Sequence, residues 1–218
     1  MRINNTLSKW AIAALVFNSA AAFAADLPPP YDIPHVYPFC DHSFYNNQDV
    51  IEYFFNEHKP SVVVEVGSWT GVSTIHMASC LGPEGKVYAV DHWLGSAEHQ
   101  PGQVFWYPFV PYLYEQFLSN VIHANMTDKI VPVKMTSLEA SKALADLKID
   151  LVYIDGSHDY HSVYADLNAW FPLVKGHGIL CGDDWGYPGV YIAVKQFAIE
   201  HQLTVSSNGF AFWWLTEN

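Results

Sequence analysis

The chain has 218 residues, half of them hydrophobic and 16% aromatic, with a formal net charge of −12. That composition supplies one domain with a full core and excludes a disordered chain. The sole arginine is Arg2, so the balance speaks against nucleic-acid binding, which needs a basic face, and against a large phosphorylated partner.

Residues 1–25 have the layout of a secretory signal. Arg2 and Lys9 precede an apolar stretch from Trp10 to Phe17, and Ala22-Phe23-Ala24 matches a cleavage site. Cleavage starts the mature chain at Ala25 or Asp26, takes the net charge to −14 and implies export to the periplasm or medium. The alternative is an uncleaved N-terminal anchor, the one route by which a membrane becomes a partner. Residues 26–45, with Leu27-Pro28-Pro29-Pro30 and Pro34 to Pro38, form an extended leader expected on the domain surface. The domain proper covers residues 46–218.

Within it, helical spacing over residues 47–58 is followed by a strand at 62–66, a helix at 71–80 and a strand at 86–91. Residues 92–112 are aromatic and irregular. A helix is expected at 113–124, a strand at 130–134, a helix at 137–147, a strand at 149–154 and a helix at 160–171. Lys175-Gly176-His177-Gly178 reads as a turn before a strand at 178–182. A helix at 189–201 leads to strands at 203–206 and 210–215, split by Ser207-Asn208-Gly209. The alternation predicts an α/β fold. It is a Rossmann-like, doubly wound, mostly parallel seven-stranded sheet with a C-terminal antiparallel hairpin. Cys40, Cys80 and Cys181 lack metal-ligand spacing and read as small core residues, with one disulfide through Cys40 as the alternative in an exported protein.

In open α/β sheets ligands bind outside the carboxyl ends of the strands. There the chain places Glu65, Gly67, Ser68 and Gly71, then Asp91, His92 and Trp93, then Thr136 and Ser137, then Asp155 and His158, then Asp183 and Asp184. The glycines after the first strand let the backbone approach a ligand. Asp91 falls 24 residues beyond Gly67, the place of an acid that binds ribose hydroxyls, with a capping aspartate as the alternative. Trp93 reads equally as a purine platform or a core aromatic. The glycine spacing lacks both the dinucleotide pattern and the P-loop lysine, which points to a nucleoside-type cofactor without a pyrophosphate, S-adenosylmethionine. Asp155, Asp183 and Asp184 are oxygen donors suited to Mg²⁺ or another divalent cation, or else separate solvated acids. His158 stands three residues beyond Asp155 as a candidate base, or a structural histidine or fourth ligand. The aromatic block Phe105, Trp106, Tyr107, Phe109, Tyr112 and Tyr114 reads as a lid over a ring-shaped acceptor, as a cover for the core, or as a dimer face that would make the protein a homo-oligomer.

From about residue 45 onward the chain resembles class I S-adenosylmethionine-dependent methyltransferases, and among them metal-dependent O-methyltransferases. Val63 to Ser73 is similar to the first motif of catechol O-methyltransferase. Ile154-Asp155-Gly156-Ser157-His158-Asp159-Tyr160 with Gly182-Asp183-Asp184-Trp185 resembles macrocin-type bacterial enzymes. The resemblance implies that Glu65, Gly67, Ser68, Trp69, Thr70, Gly71 and Ser73 hold the methionine part of the cofactor. It places Asp91 on the ribose, Ser137 near the adenine, a metal on Asp155, Asp183 and Asp184, and His158 where those enzymes have a catalytic lysine or histidine. The function expected is methyl transfer to a hydroxyl of a small phenol, catechol or sugar-like acceptor. The rivals are an exported binding or host-interaction protein without turnover, favoured by the export signal, and a metal-dependent hydrolase, which leaves the glycine turn unexplained. The family is usually cytosolic, and the export signal departs from it.

Overall fold

β-Branched runs form the sheet in the computed structural model, which describes residue 24 and residues 26–217. β1 (Val62–Val66), β2 (Lys86–Asp91), β3 (Ile130–Lys134), β4 (Ile149–Ile154) and β5 (Val174–Gly182) are followed by β6 (Leu203–Ser207) and β7 (Trp213–Glu217). Across the sheet they run β3-β2-β1-β4-β5-β7-β6. The first five are parallel, and β7 is antiparallel to both β5 and β6. This is the expected Rossmann-like sheet with a C-terminal hairpin. Its strand order switches direction between β1 and β4, where such sheets open a crevice.

Among the described residues six α-helices cover the two faces: α1 (Gln48–His58), α2 (Val72–Cys80), α3 (Leu113–His123), α4 (Ser137–Ala143), α5 (Tyr160–Trp170) and α6 (Pro188–Glu200). Successive strand residues point to opposite faces. Val63, Leu151 and Tyr153 pack with α1, α2 and α3. Val64, Val152 and Ile154 pack with α5 and α6.

Local expectations are refined, and the last strand, expected at 210–215, runs over Trp213–Glu217. The leader, expected on the surface, is fastened to the domain there. Tyr31 and Tyr45 are core residues, the Tyr31 hydroxyl donates to the Ile130 carbonyl at 2.8 Å, and Cys40 exchanges two hydrogen bonds with the Asn120 amide group. The helix expected to reach residue 147 ends at Ala143. The expected turn at residues 175–178 lies inside β5, where the pairing with β4 jumps from Ile149↔Val174 to Leu151↔Ile179. The glycines there serve a bulge. Lys175 stays tied to Asp150 at 2.6 Å, and a side chain at Gly178 would strike Val174 at 2.5 Å. Cys40, Cys80 and Cys181 are free thiols. Apart from residue 24, the expected signal segment lies outside the described residues, among which no helix is long and apolar enough to cross a membrane.

Two residues join β1 to α2 and β4. Gly67 has φ +92°, and a Cβ there would lie 2.0 Å from the Asp155 carbonyl oxygen, so only glycine lets the ends of β1 and β4 meet. Glu65 is fully buried. Its carboxylate accepts from the hydroxyls of Ser73 and Thr74 in the first turn of α2. Burial outweighs these donors and pushes its pKa up to about 7.

Gly67→Ala is expected to destabilise the domain by more than about 2 kcal/mol, read as a fall in the urea midpoint; an unchanged midpoint would contradict the close approach. The raised pKa of Glu65 means that its contribution to stability is complete below its ordinary value of 4.5 and is lost as pH rises through about 7. Glu65→Gln, which keeps shape without charge, should therefore gain up to about 3 kcal/mol relative to wild type between acid and mildly alkaline pH. Thermal midpoints of both proteins across that range measure the difference, and parallel curves would refute it.

Candidate active site

The carboxyl ends of β1, β2, β4 and β5 open into one cleft of about 920 Å³. Of the residues expected there, the fold brings Gly67, Ser68, Trp69, Thr70, Ser73, Asp91, Asp155, His158, Asp183 and Asp184 to its wall. Glu65 sits directly behind, under α2. Gly71 (φ +87°) is the N-cap of α2, where a Cβ would meet the Phe117 ring at 2.9 Å.

Besides Glu65 and Gly71, the expected Trp93, His92, Thr136 and Ser137 do not line the cleft. Trp93 is 3% exposed. Its ring packs on Tyr114 and Phe117, and its indole N–H donates to the Trp69 carbonyl at 2.8 Å. It is the core aromatic of the two alternatives. The exposed His92 instead accepts from the Leu94 amide at 3.0 Å. Ser137 is held on the other side of the sheet, accepting from the Trp170 indole at 2.8 Å.

The β1–β2 side is a cradle of backbone and carboxylate. Asp91 accepts from the amides of Trp69 (3.0 Å) and Trp93 (2.7 Å), which fixes both turns around it. Burial raises its pKa against these two donors. Trp69 is held at φ +47°, a conformation that side-chain-bearing residues adopt only where the surroundings enforce it. The Ser68 hydroxyl is buried and has no hydrogen-bond partner of good geometry among the described residues, although it lies near enough to ease the charge on Glu65.

The β4–β5 side carries a histidine–carboxylate dyad. His158 Nε2 donates to Asp184 Oδ2 at 2.8 Å, and this bond raises the basicity of the imidazole. Tyr187 stacks on the ring at 4.5 Å. Gly189 makes that stack feasible, because a side chain there would strike the His158 carbonyl at 2.3 Å. Asp184 has φ +63°. Asp183 accepts from the Tyr153 hydroxyl at 3.2 Å and from the Asp184 amide at 2.7 Å, and Asn47 donates to the same tyrosine at 3.1 Å. Asp155 is held well above the usual carboxylate range by burial and by the charges of Asp183 and Asp184. Among the described residues no group of three or more His, Cys, Asp or Glu side chains stands in a metal-holding arrangement. Asp184 is bonded to His158 and Asp183 to Tyr153.

Other cleft residues carried no local signal. Ser43 to Asn46 come from the leader, Ser96, Glu98 and His99 from the irregular insert, and Phe210 from the β6–β7 turn. His99 Nδ1 accepts from the Ser96 amide at 3.0 Å, so the neutral ring carries its proton on Nε2. The ring lies 4.5 Å from that of Trp69. The aromatic block divides. Phe105 lines the cleft, whereas Tyr107 and Phe109 pack around His42, and Tyr112 stacks on Tyr37 at 4.4 Å. Half of the block therefore fastens the leader.

Comparison with known proteins matches this architecture. Residues 64–185, more than half of the chain, fit the model of a methyltransferase domain. An O-methyltransferase from Bacillus cereus, solved in complex with SAH, superposes with a TM-score of 0.59 at 17% identity, covering 98% of this chain and 94% of that one. TomG from Streptomyces achromogenes, an O-methyltransferase involved in tomaymycin synthesis and solved with SAM, gives 0.57 at 13% identity, covering 99% and 100%. A curated relative, the uncharacterized protein y4gI of Sinorhizobium fredii, is 23% identical over 171 residues, 71% of this chain but 17% of that protein. The chain thus spans under a fifth of that relative's length. On the strength of the matched domain and the sheet that carries it, the chain belongs to the methyltransferase-domain family, with the fold of class I S-adenosylmethionine-dependent enzymes.

Proposed function

We propose that the protein transfers the methyl group of S-adenosylmethionine to a hydroxyl of a small molecule. The observation that carries this reading is one cleft holding both a nucleoside-type cradle, Gly67 to Ser73 with Asp91, and a histidine–aspartate dyad. The cradle fits the cofactor in three respects. Its backbone turn, set by Gly67, runs along the cleft wall. The buried Ser68 hydroxyl beside it has no hydrogen-bond partner of good geometry among the described residues. The acids around the cleft favour a sulfonium cation over an anion. When bound, the cofactor supplies an electrophilic methyl group on positively charged sulfur.

The chain's own residues do the rest. Asp91, already fixed by two amides, offers its remaining lone pairs to ribose hydroxyls. His158, oriented by Asp184 and Tyr187, takes the acceptor's hydroxyl proton as the oxygen attacks the methyl carbon. The walls hold donor and acceptor in line, a contribution that reaches roughly 7–11 kcal/mol in well-oriented systems. A divalent cation is proposed on donor chemistry alone. Asp155, Asp183 and Asp184 are hard oxygen ligands, and a cation beside Asp155 would offset the like charges that, after burial, raise its pKa. Held there, it would lower the pKa of the acceptor hydroxyl. Export through residues 1–25 belongs to the same proposal, and recovery of the uncleaved chain from the cytosolic fraction would remove it.

Asp91→Asn should weaken cofactor binding by about tenfold or more, as loss of charge-assisted bonds does. His158→Ala should leave that affinity within about twofold and lower turnover of a phenolic acceptor about a hundredfold. Tryptophan fluorescence titration gives the affinities and product mass spectrometry the turnover. Undiminished turnover without His158 would overturn the base assignment. Millimolar Mg²⁺ should raise the thermal midpoint of the wild type by a few degrees and that of Asp155→Asn by less; identical midpoints in Mg²⁺ and EDTA would remove the cation.

A further inference from the structure

The mouth of the cleft adds three aromatic residues that neither the cradle nor the dyad uses to Tyr187, which stacks on His158. Phe44 comes from the leader, Phe105 from the insert, Tyr187 from the β5–α6 loop and Phe210 from the β6–β7 turn, and all four line the same cleft. Each is between 43% and 76% exposed. Single exposed aromatics are ordinary, but four from separate segments around one opening form a ligand surface. Phe44 and Phe105 already meet edge to face at 6.3 Å, the contact a flat aromatic ring would extend.

Charge narrows what can enter. None of the described residues lining the cleft is Lys or Arg. Lys175 is held by Asp150 at 2.6 Å and Lys134 lies over the Tyr114 ring at 4.2 Å. Glu98 is tied to the aromatic mouth through the Phe105 amide, which donates to its carbonyl at 3.2 Å. Glu98 lines the same cleft as His99, His158 and Asp184. An anionic substituent on a ring seated here would meet Glu98 with no Lys or Arg among the described lining residues to answer it. A protonated amine would find a carboxylate partner there.

We propose that the acceptor is an aromatic hydroxyl compound bearing a positively charged amine and no anionic group, and that Glu98 is the specificity residue that selects the amine. This rests on the methyl-transfer reading and narrows its acceptor. Sugar hydroxyls and phosphorylated carriers fall outside it.

The test uses two phenols that differ in the charge of one group, 4-hydroxyphenethylamine and 4-hydroxyphenylacetate. Each is titrated calorimetrically, near neutral pH, into the full chain saturated with S-adenosylhomocysteine. The amine should bind at least about tenfold more tightly than the carboxylate. Glu98→Gln should reduce that ratio severalfold while leaving S-adenosylhomocysteine affinity unchanged, and added salt should shrink the ratio in the wild type. Equal or tighter binding of the carboxylate overturns the proposal. So does a ratio unmoved by Glu98→Gln, or no binding of either phenol to the loaded protein. Failure of a folded chain to take up S-adenosylhomocysteine would instead refute the methyl-transfer reading, and the acceptor assignment would fall with it.

Discussion

The site depends on one close approach. Where β1 ends, the Asp155 amide donates to the Val66 carbonyl and the Gly67 amide donates to the Val90 carbonyl, both at 2.8 Å. Gly67 therefore stands between the ends of β4 and β2 with no room for a side chain. This fixes three strand ends at one level. Asp91 and Asp155 then face the same space, the turn to α2 must pass over it, and Glu65 is drawn beneath α2 to meet Ser73 and Thr74. The cleft arises from the strand order, since neighbouring crossovers leave β1 toward opposite faces at this point.

Such an arrangement gathers acids at a density that stability alone would oppose. Glu65, Asp91, Asp155 and Asp183 all have raised pKa values, with burial the leading cause in each. Backbone amides and hydroxyls offset part of that penalty at Glu65, Asp91 and Asp183. Asp184 accepts a hydrogen bond from His158 Nε2 at 2.8 Å. Asp155 owes most of its remaining shift to its acidic neighbours. Perturbed carboxylates concentrated in one cleft mark a functional site, and their sign suits a cationic group better than an anionic one. A sulfonium that loses its charge on methyl transfer would be held before the reaction and less strongly after it.

The sheet was legible because its strands announce themselves. Val62 to Val66 and Ile149 to Ile154 are continuous apolar runs closed by turn residues, and both ends agree with the structure. The helix after β3 ran long in expectation because nothing from Leu144 to Lys148 is a glycine or proline stop. The chain must turn there for β4 to begin at Ile149, and tertiary demand overrides propensity. Gly176 and Gly178 gave a true irregularity signal with the wrong meaning, since a bulge and a turn use the same residues. At the site, the acids at strand ends could be found from spacing because strand ends are where such sheets bind. Glu98, His99, Tyr187 and Phe210 could not, because they arrive on loops whose paths no periodicity encodes. Trp93 and Ser137 show the converse limit: residues adjacent to the cleft in sequence point their side chains into the core or across the sheet.

The most direct test of this reading is a calorimetric titration of the full chain with S-adenosylmethionine. One site per chain with a dissociation constant in the micromolar range is expected, with binding weakened in Asp91→Asn. A folded chain that gives no binding heat at several temperatures, and no thermal stabilisation by the cofactor, would contradict it.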